Sequence, residues 1–516
     1  MHTTIVRTHA IAIVGLTGNI IDVETHIAPG LVAFNLVGLP DAGVKESKDR
    51  VRAALQTCGF KWIEHRVTVN LSPATVPKMG SGFDLAIAMG LLSAQKYLPD
   101  TQLDDTIFLA ELGLDGTLQP IRGILPAVLT ARQHGFKKVV VPASQETEAQ
   151  LVPGIEILAL RHLGEVIVRF GGKPVQIDAM LRPREQKIAD SATTQTIPEL
   201  GEVRGQNLAV QALVTAAAGG HHLLLVGEPG AGKTMLAQRL PGILPKLGPE
   251  AALQVTAIQS VAGRIQNLTG LVETPPLEAP HHSATMVAMV GGGTGLPHPG
   301  AISLAHQGVL FLDEATEFAP KALDALRQPL EMGRITIARA KAQVTFPAQF
   351  QLILATNPCP CGYAISRTKT CTCTSLQKRR YLSRLSGPLL DRLDMQIPMV
   401  TPSVNDLETP NIFTTATAAA AVSQARARAA ARWQRNWGVT TNSQLPTSAL
   451  KSAEMGLTEA VKQQIHLALS RATMSLRGID RVLRVARTIA DLRGSEQVET
   501  ADLGQAMQYR NGLRNV

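Results

Sequence analysis

Residues 221–240 read HHLLLVGEPGAGKTMLAQRL. Leu223 to Val226 is an unbroken apolar run of the kind a strand buried on both faces requires. Gly227 to Thr234 follows at once and matches G-x-x-x-x-G-K-[ST], and helix-forming residues come next. A phosphate chain is cradled by backbone N–H groups turned inward, and glycines let a loop close that tightly. We therefore assign Gly227, Glu228, Pro229, Gly230, Ala231, Gly232, Lys233 and Thr234 to ATP binding. Lys233 reaches the β- and γ-phosphates, and the Thr234 hydroxyl coordinates Mg²⁺. A chance glycine-rich turn would need neither the strand before it nor the helix after it.

Reading outward, GVLFLDEATEF holds a second buried run, Val309 to Leu312, that ends in Asp313 and Glu314. An acid at the carboxyl end of a strand beside the phosphate loop can hold Mg²⁺, here Asp313. The next acid, Glu314, can orient and deprotonate water. A third run, QLILATNP, ends in Asn357, whose side chain can bond the attacking water or the γ-phosphate. This series of strand, loop, strand, acid, strand and Asn looks like an AAA+ ATPase core. SGPLLDRLDMQIP then presents Arg392 between two acids. It is either a surface pair with Asp391 or Asp394, of little energetic value, or an arginine finger for a neighbouring subunit. MSLRGIDRVLRVARTIADL carries Arg477, Arg481, Arg484 and Arg487 on one helix. Arg477, at the helix start, is chosen as second phosphate sensor; the others bridge subunits or face solvent.

The 516 residues have room for two or three domains, each with its own core. With 45% hydrophobic and 18% charged residues the class is soluble globular, and 3% aromatics disfavour a base-stacking platform for nucleic acid. No run of eighteen apolar residues suggests a membrane span. The start, MHTTIVRTHAIAIVGLTGN, reads as an ordinary first strand and not a signal peptide, so the expected compartment is the cytoplasm. The net charge is +9, and from Lys378 onward there are 19 Lys and Arg against 11 Asp and Glu. That surplus fits an anionic partner such as nucleic acid, or a solvated surface with phosphate sensors.

Residues 1–180 read as mixed α/β: AFNLVGL, HRVTVNL and KKVVVP are strand-like, and DAGVKESKDRVRAAL is helical. Residues 181–202 are polar and aperiodic, a linker. Residues 203–400 alternate strands and helices, which predicts a parallel sheet. Residues 401–516 read as helical, with Gly438 stopping the Ala- and Arg-rich helix over 413–437.

Four of the five cysteines fall within fifteen residues, CPCGYAISRTKTCTC. Cys359, Cys361, Cys371 and Cys373 can close a tetrahedral Zn²⁺ site, although C-x-C is tighter than the usual C-x-x-C. A disulfide pair in a reducing compartment, or four free thiols, are the other readings.

Several stretches together are similar to one family over nearly the whole chain. They are GLPDAGVKESKDRVRAAL, the phosphate loop, APHHSATMVAMVGGG, GAISLAHQGVLFLDE, ATNPCPCG, SGPLLDRLD and VARTIADL. By them the chain resembles the magnesium-chelatase-like AAA+ proteins of the ComM/YifB group. The resemblance implies an α/β protein with an N-terminal Lon-protease-like (ribosomal S5 domain 2-like) domain, a P-loop AAA+ core and a C-terminal helical lid. It further implies a homo-oligomeric ring, a hexamer, that translocates on single-stranded or branched DNA and carries out helicase-like branch migration in recombination during natural transformation. Two segments become candidates for DNA contact. GRITIARAKAQVTFPAQ reads as two strands, and similarity to the pre-sensor hairpin of related ATPases aims Arg339 and Lys341 into the pore; an ordinary hairpin with a solvated tip is the alternative. HHSATMVAMVGGGTG is an insert whose glycines suggest a mobile loop. Where the family leads one to expect an aromatic and an Arg before Ala-Pro-His-His, this chain has Leu277 and Glu278.

VPKMGSGFDLAIAMGLL and GTLQPIRGILPAVL resemble the proteolytic domain of Lon, which uses a Ser activated by a Lys. Here the nucleophile position falls on Gly82 and the lysine position on Leu125, which implies a protease-dead scaffold; Ser81 with Lys78 is the remaining candidate dyad. An AAA+ remodeller or chelatase subunit acting on a protein client, and an ATP-dependent protease, are the competing functions.

Overall fold

The computed structural model of the chain describes residues 5–99, 103–175, 197–265, 270–293, 297–339, 342–408, 410–471 and 474–512. In the first part, β-branched residues alternate along each strand. Val67, Val69 and Leu71 of Arg66–Ser72 are buried, and the residues between them are not. Seven strands form one mixed sheet in the order Ala33–Val37, Arg66–Ser72, Thr17–Ala28, Ile5–Val14, Thr106–Phe108, Lys138–Pro142, Glu156–Leu160. Asp41 starts the helix Ala42–Thr57 by accepting the Val44 N–H at 2.8 Å. The helix Asp84–Ala94 is buried nearly all round, and Arg50 donates to its Asp84 carboxylate at 2.6 and 3.1 Å.

The second part holds five parallel strands in the order Leu277–Glu278, Val309–Leu312, Gln351–Thr356, Leu223–Gly227, Met395–Met399. Side chains alternate between two cores. Leu223, Leu225, Phe311 and Ile353 join the helix Asn207–Gly219 and the C-terminal helices; Leu224, Val226, Leu310 and Leu354 fill the other side. Burial on both faces explains why Leu223–Val226 and Val309–Leu312 are unbroken apolar runs in the sequence. The helices Thr415–Trp437, Glu459–Ser470, Leu476–Arg493 and Thr500–Asn511 complete the chain. Gly438 ends the first of these in left-handed backbone, at φ 65°, as the sequence predicts.

The two sheets belong to domains that touch. The turn after Ile5–Val14 reaches the hairpin Arg334–Arg339/Ala342–Pro347, and Ile13, Val14 and Leu16 pack on the cluster holding Ile335, Ile337, Val344 and Phe346. Gly15 (φ 68°) fits because a Cβ there would lie 2.9 Å from Val344 Cγ1. Nearby, buried Glu148 accepts from Ser260 Oγ at 2.5 Å and from Leu125 N at 3.0 Å.

Three expectations need correction or restriction. The insert expected as a mobile loop contains the helix Met286–Val290, capped by Thr285, and an antiparallel ladder pairing Gly291–Gly292 with His298–Pro299. Gly291 and Gly292 serve that close ladder, and 294–296 lie outside the described residues. Most of the expected linker, 181–196, and the hairpin tip with Lys341 lie outside the described residues. Among the described residues, no helix is long and apolar enough to cross a membrane.

Candidate active site

The phosphate loop sits at the carboxyl end of Leu223–Gly227, the strand between Gln351–Thr356 and Met395–Met399. Gly230 and Gly232 take φ of 81° and 89°, conformations that side chains resist. The buried Lys233 ammonium donates to Gly227 O at 2.7 Å, Glu228 O at 2.9 Å and Asn357 Oδ1 at 3.1 Å. Burial pushes this ammonium below its ordinary range, while Asp313, Glu314 and Glu228 pull it back up. Thr234 Oγ1 donates to Asp313 Oδ2 at 2.5 Å. Three separate sequence runs therefore meet at one point: a hydroxyl and a carboxylate suited to a hard cation, a lysine, and an amide. Turned-in glycines with this donor set fit ATP and Mg²⁺.

Glu314 has φ 49°, left-handed backbone that a non-glycine residue rarely adopts. That turn sends its carboxylate out of the strand line, where it is about half exposed and meets His282 Nδ1 at 3.2 Å. The His281 and His282 rings stack at 4.0 Å between centroids. His282 was not among the residues assigned from sequence; the adjacent histidines after a strand are the signal that could have marked it. Beneath, Thr316 and Thr356 hydroxyls share a buried bond of 2.9 Å that ties the acid strand's exit to the Asn357 strand.

The arginines lie elsewhere. Asp394 N donates to His222 O at 3.0 Å, which places Arg392 and Asp394 at the amino ends of the strands. The loop is at the carboxyl ends, about 15 Å away along a five-residue strand. Arg392 is held by the Glu331 carboxylate and by Pro388 O at 2.6 Å. The acid beside it is taken by Arg481, which donates to Asp394 Oδ1 at 2.6 Å and to Arg392 O at 2.9 Å. Burial raises the Asp394 carboxyl, but its bond to His221 and the charges of His221 and Arg481 outweigh that and hold it well below the usual carboxylate range. Arg392, Arg481, Arg484, Arg426 and Lys246 line a cavity of about 700 Å³ at this edge. Arg477 is exposed one turn before Arg481.

The four clustered cysteines converge. Their sulfurs all lie within 4.8 Å of one another, with Cys359–Cys361 at 3.3 Å, Cys361–Cys371 at 3.6 Å and Cys359–Cys371 at 3.7 Å. Four thiolates around Zn²⁺ at 2.3 Å would stand about 3.8 Å apart, so the donor set fits a tetrahedral metal. The backbone N–H of Tyr363, with that of Thr372, lowers the Cys361 thiol to about 6, while burial and the bonds to Cys361 and Cys371 push the Cys359 thiol up to about 12, so the first proton leaves at Cys361. Between the pairs, Gly362 (φ 86°) lies against the phosphate loop: a Cβ there would be 2.6 Å from Pro229 Cδ.

The Arg339 guanidinium lies over the insert, where a side chain at Gly292 would meet Nη2 at 2.9 Å. Leu277–Glu278 forms the edge strand, and Glu278 pairs with Arg264 at 2.7 Å. In the first domain Ser81 Oγ donates to a Glu111 carboxylate oxygen, and buried Lys78 Nζ donates to Pro73 O. The two side chains of the candidate dyad have separate partners.

Three family models match: "Magnesium chelatase, subunit ChlI" over residues 199–407, "Subunit ChlI of Mg-chelatase" over 23–145, and "Magnesium chelatase, subunit ChlI C-terminal" over 413–510. An uncharacterized protein of Mycobacterium tuberculosis is 45% identical over 98% of both chains. Competence protein ComM of Haemophilus influenzae is 39% identical over 98% of this chain and 97% of its own. YifB of Escherichia coli is 39% identical over 97% and 96%. Part of the first domain is similar to Lon protease 2 of Bacillus subtilis, 33% identical over 125 residues, 24% of this chain and 22% of that protein.

Proposed function

This chain belongs to the ComM/YifB family of magnesium-chelatase-like AAA+ ATPases, and we propose that it is a ring-forming motor that translocates on DNA. Its work would be helicase-like branch migration in homologous recombination, during natural transformation in a competent cell, in the cytoplasm. The observation that carries the ring is the division of the machinery between two edges of one sheet. Lys233, Thr234, Asp313, Glu314 and Asn357 gather at the carboxyl edge, and Arg392 and Arg481 at the amino edge. A chain so built completes its site only by facing a second copy, and a closed ring, a hexamer, satisfies every copy.

Lys233 binds the β- and γ-phosphates, and Thr234 with Asp313 holds the magnesium ion. That ion, when bound, neutralises charge that develops on the phosphate oxygens. Glu314, positioned by His282, takes a proton from the attacking water. Asn357 orients that water. Arg392 of one subunit, steadied by Glu331, serves as finger for the next, and Arg477 or Arg481 as second sensor. Arg339 and Lys341 of the hairpin hold DNA phosphates without reading bases. The Lon-like domain, with Gly82 and Leu125 at the nucleophile and lysine positions, acts as a protease-dead scaffold.

The family description favours one alternative, a chelatase-type or remodelling ATPase with a protein client. ATP hydrolysis measured with and without branched DNA separates the two. A DNA motor shows strong stimulation that vanishes in Glu314→Gln. Hydrolysis indifferent to DNA would sink the motor and favour the protein client.

A further inference from the structure

Between Glu331 and Asp391 the chain has nine Lys and Arg residues and no Asp or Glu. Part of this run is the sheet strand and the hairpin; the rest is the cysteine loop and the helix after it. Arg367 and Lys369 stand on the loop between Cys361 and Cys371, and Arg379 and Arg380 on the helix Ser375–Leu382; all four are exposed. Arg384 pairs with Glu317 at 3.0 Å and is thereby committed within the fold.

The segment is held in shape. Four sulfurs gather at its base. Thr374 and Gln377 form a reciprocal cap that fixes the helix start directly after Cys373. The Lys369 ammonium sits 4.7 Å above the Tyr363 ring, a contact that restrains the side chain without cancelling its charge. A loop and helix held in shape and carrying exposed cations, with no acid in the whole run and with Asp406 from outside it near Arg367, make a surface for a chain of repeated phosphates. No planar array of aromatics accompanies them, so bases would go unread.

We propose that this cysteine-pinned knuckle is a second nucleic-acid site, gripping the phosphate backbone through Arg367, Lys369, Arg379 and Arg380. The inference rests on the DNA reading above and adds a contact distinct from the hairpin. It also gives bound DNA a short route to the nucleotide. Asn357 precedes Cys359 by two residues and bonds Lys233, and Gly362 lies on Pro229.

The test is fluorescence anisotropy of the full-length protein on a labelled 40-nucleotide single strand with a non-hydrolysable ATP analogue, from 50 to 200 mM KCl. The wild type is compared with Arg367→Gln/Lys369→Gln/Arg379→Gln/Arg380→Gln. Each phosphate contact contributes about 0.7 to the log–log salt slope on a single strand. The wild type should therefore lose about 50-fold more affinity across this range than the variant does. The paired variants Arg367→Gln/Lys369→Gln and Arg379→Gln/Arg380→Gln should each remove about half of that slope difference, about 7-fold, and serve if the quadruple variant folds poorly. Arg379→Lys/Arg380→Lys should keep the slope. ATP hydrolysis without DNA should be unchanged in the glutamine variants, and its stimulation by DNA reduced. A wild-type slope retained in the glutamine variants overturns the knuckle site alone. No salt-dependent binding by the wild type overturns the DNA reading and this inference with it.

Discussion

Substituting Gly362 by Ala tests whether the cysteine knuckle and the phosphate loop are one mechanical unit. Gly362 has φ 86°, and an added Cβ would lie 2.6 Å from Pro229 Cδ and 2.8 Å from Cγ. Two costs arise. Placing an L side chain in left-handed backbone costs roughly 1–2 kcal/mol. Overpacking against a rigid proline ring adds roughly 1–3 kcal/mol. Gly59→Ala separates them, because Gly59 has φ 82° with nothing within 4 Å of the added Cβ, and so bears only the first cost. The second cost falls on the loop itself. If the loop must return to its present shape to bind a nucleotide, the strain weakens ADP by about 5- to 150-fold. Titration of a fluorescent ADP analogue, with a thermal melt of each variant, reads both effects. Unchanged ADP affinity in Gly362→Ala, with a melt no lower than that of Gly59→Ala, would refute the coupling.

Purified without chelator, the protein should carry one zinc per chain by elemental analysis; Cys371→Ser should lose it and bind ADP as weakly as Gly362→Ala, and metal-free wild type would defeat the assignment. Asp394→Asn strands Arg481 and His221 beside a neutral group and should cost about 3 kcal/mol at pH 7 by denaturant unfolding. Because the folded Asp394 value lies below the unfolded one, the stability this carboxylate contributes is present above about pH 4 and is lost as pH falls further, so the two proteins should converge in acid. Burial raises the Glu148 carboxyl, so its ionisation burdens the fold as pH rises from about 4.3 through the raised folded value. Glu148→Gln keeps an acceptor for Ser260 and Leu125, and its gain in melting temperature should grow from pH 5 to pH 8; a gain that shrinks would show the carboxylate to be favourably solvated there.

The nucleotide half of the site was legible because each part is a contiguous run. An apolar strand followed by a loop, an acid or an amide announces both the element and its chemical end. Asp313, Glu314 and Asn357 converge because strand order in a parallel sheet brings the carboxyl ends together. The arginine half was not legible. Arg481 finds Asp394 across 87 residues, and only the packing of the C-terminal helices on Asn207–Gly219 decides that meeting. The surface-pair alternative for Arg392 named the wrong partners: Glu331, on a different element, takes it instead of Asp391 or Asp394. The insert's glycines read as a loose loop because a close two-strand ladder, which Gly291 and Gly292 form, asks for the same residue. The acid-free run before Asp391 was visible as composition, but only the clustered sulfurs give it a fixed shape.

The turn at Gly15 governs what can be done with this protein at the bench. Ile13, Val14 and Leu16 shield the apolar face of the hairpin strands. A truncation that begins after the first domain would bare Val344 to water at the foot of the element proposed to grip DNA. Such a fragment would be prone to clump, and its hairpin would have lost the brace against which it bears. The full chain is therefore the form in which the proposed action on DNA is to be tested, since a fragment would lack this brace.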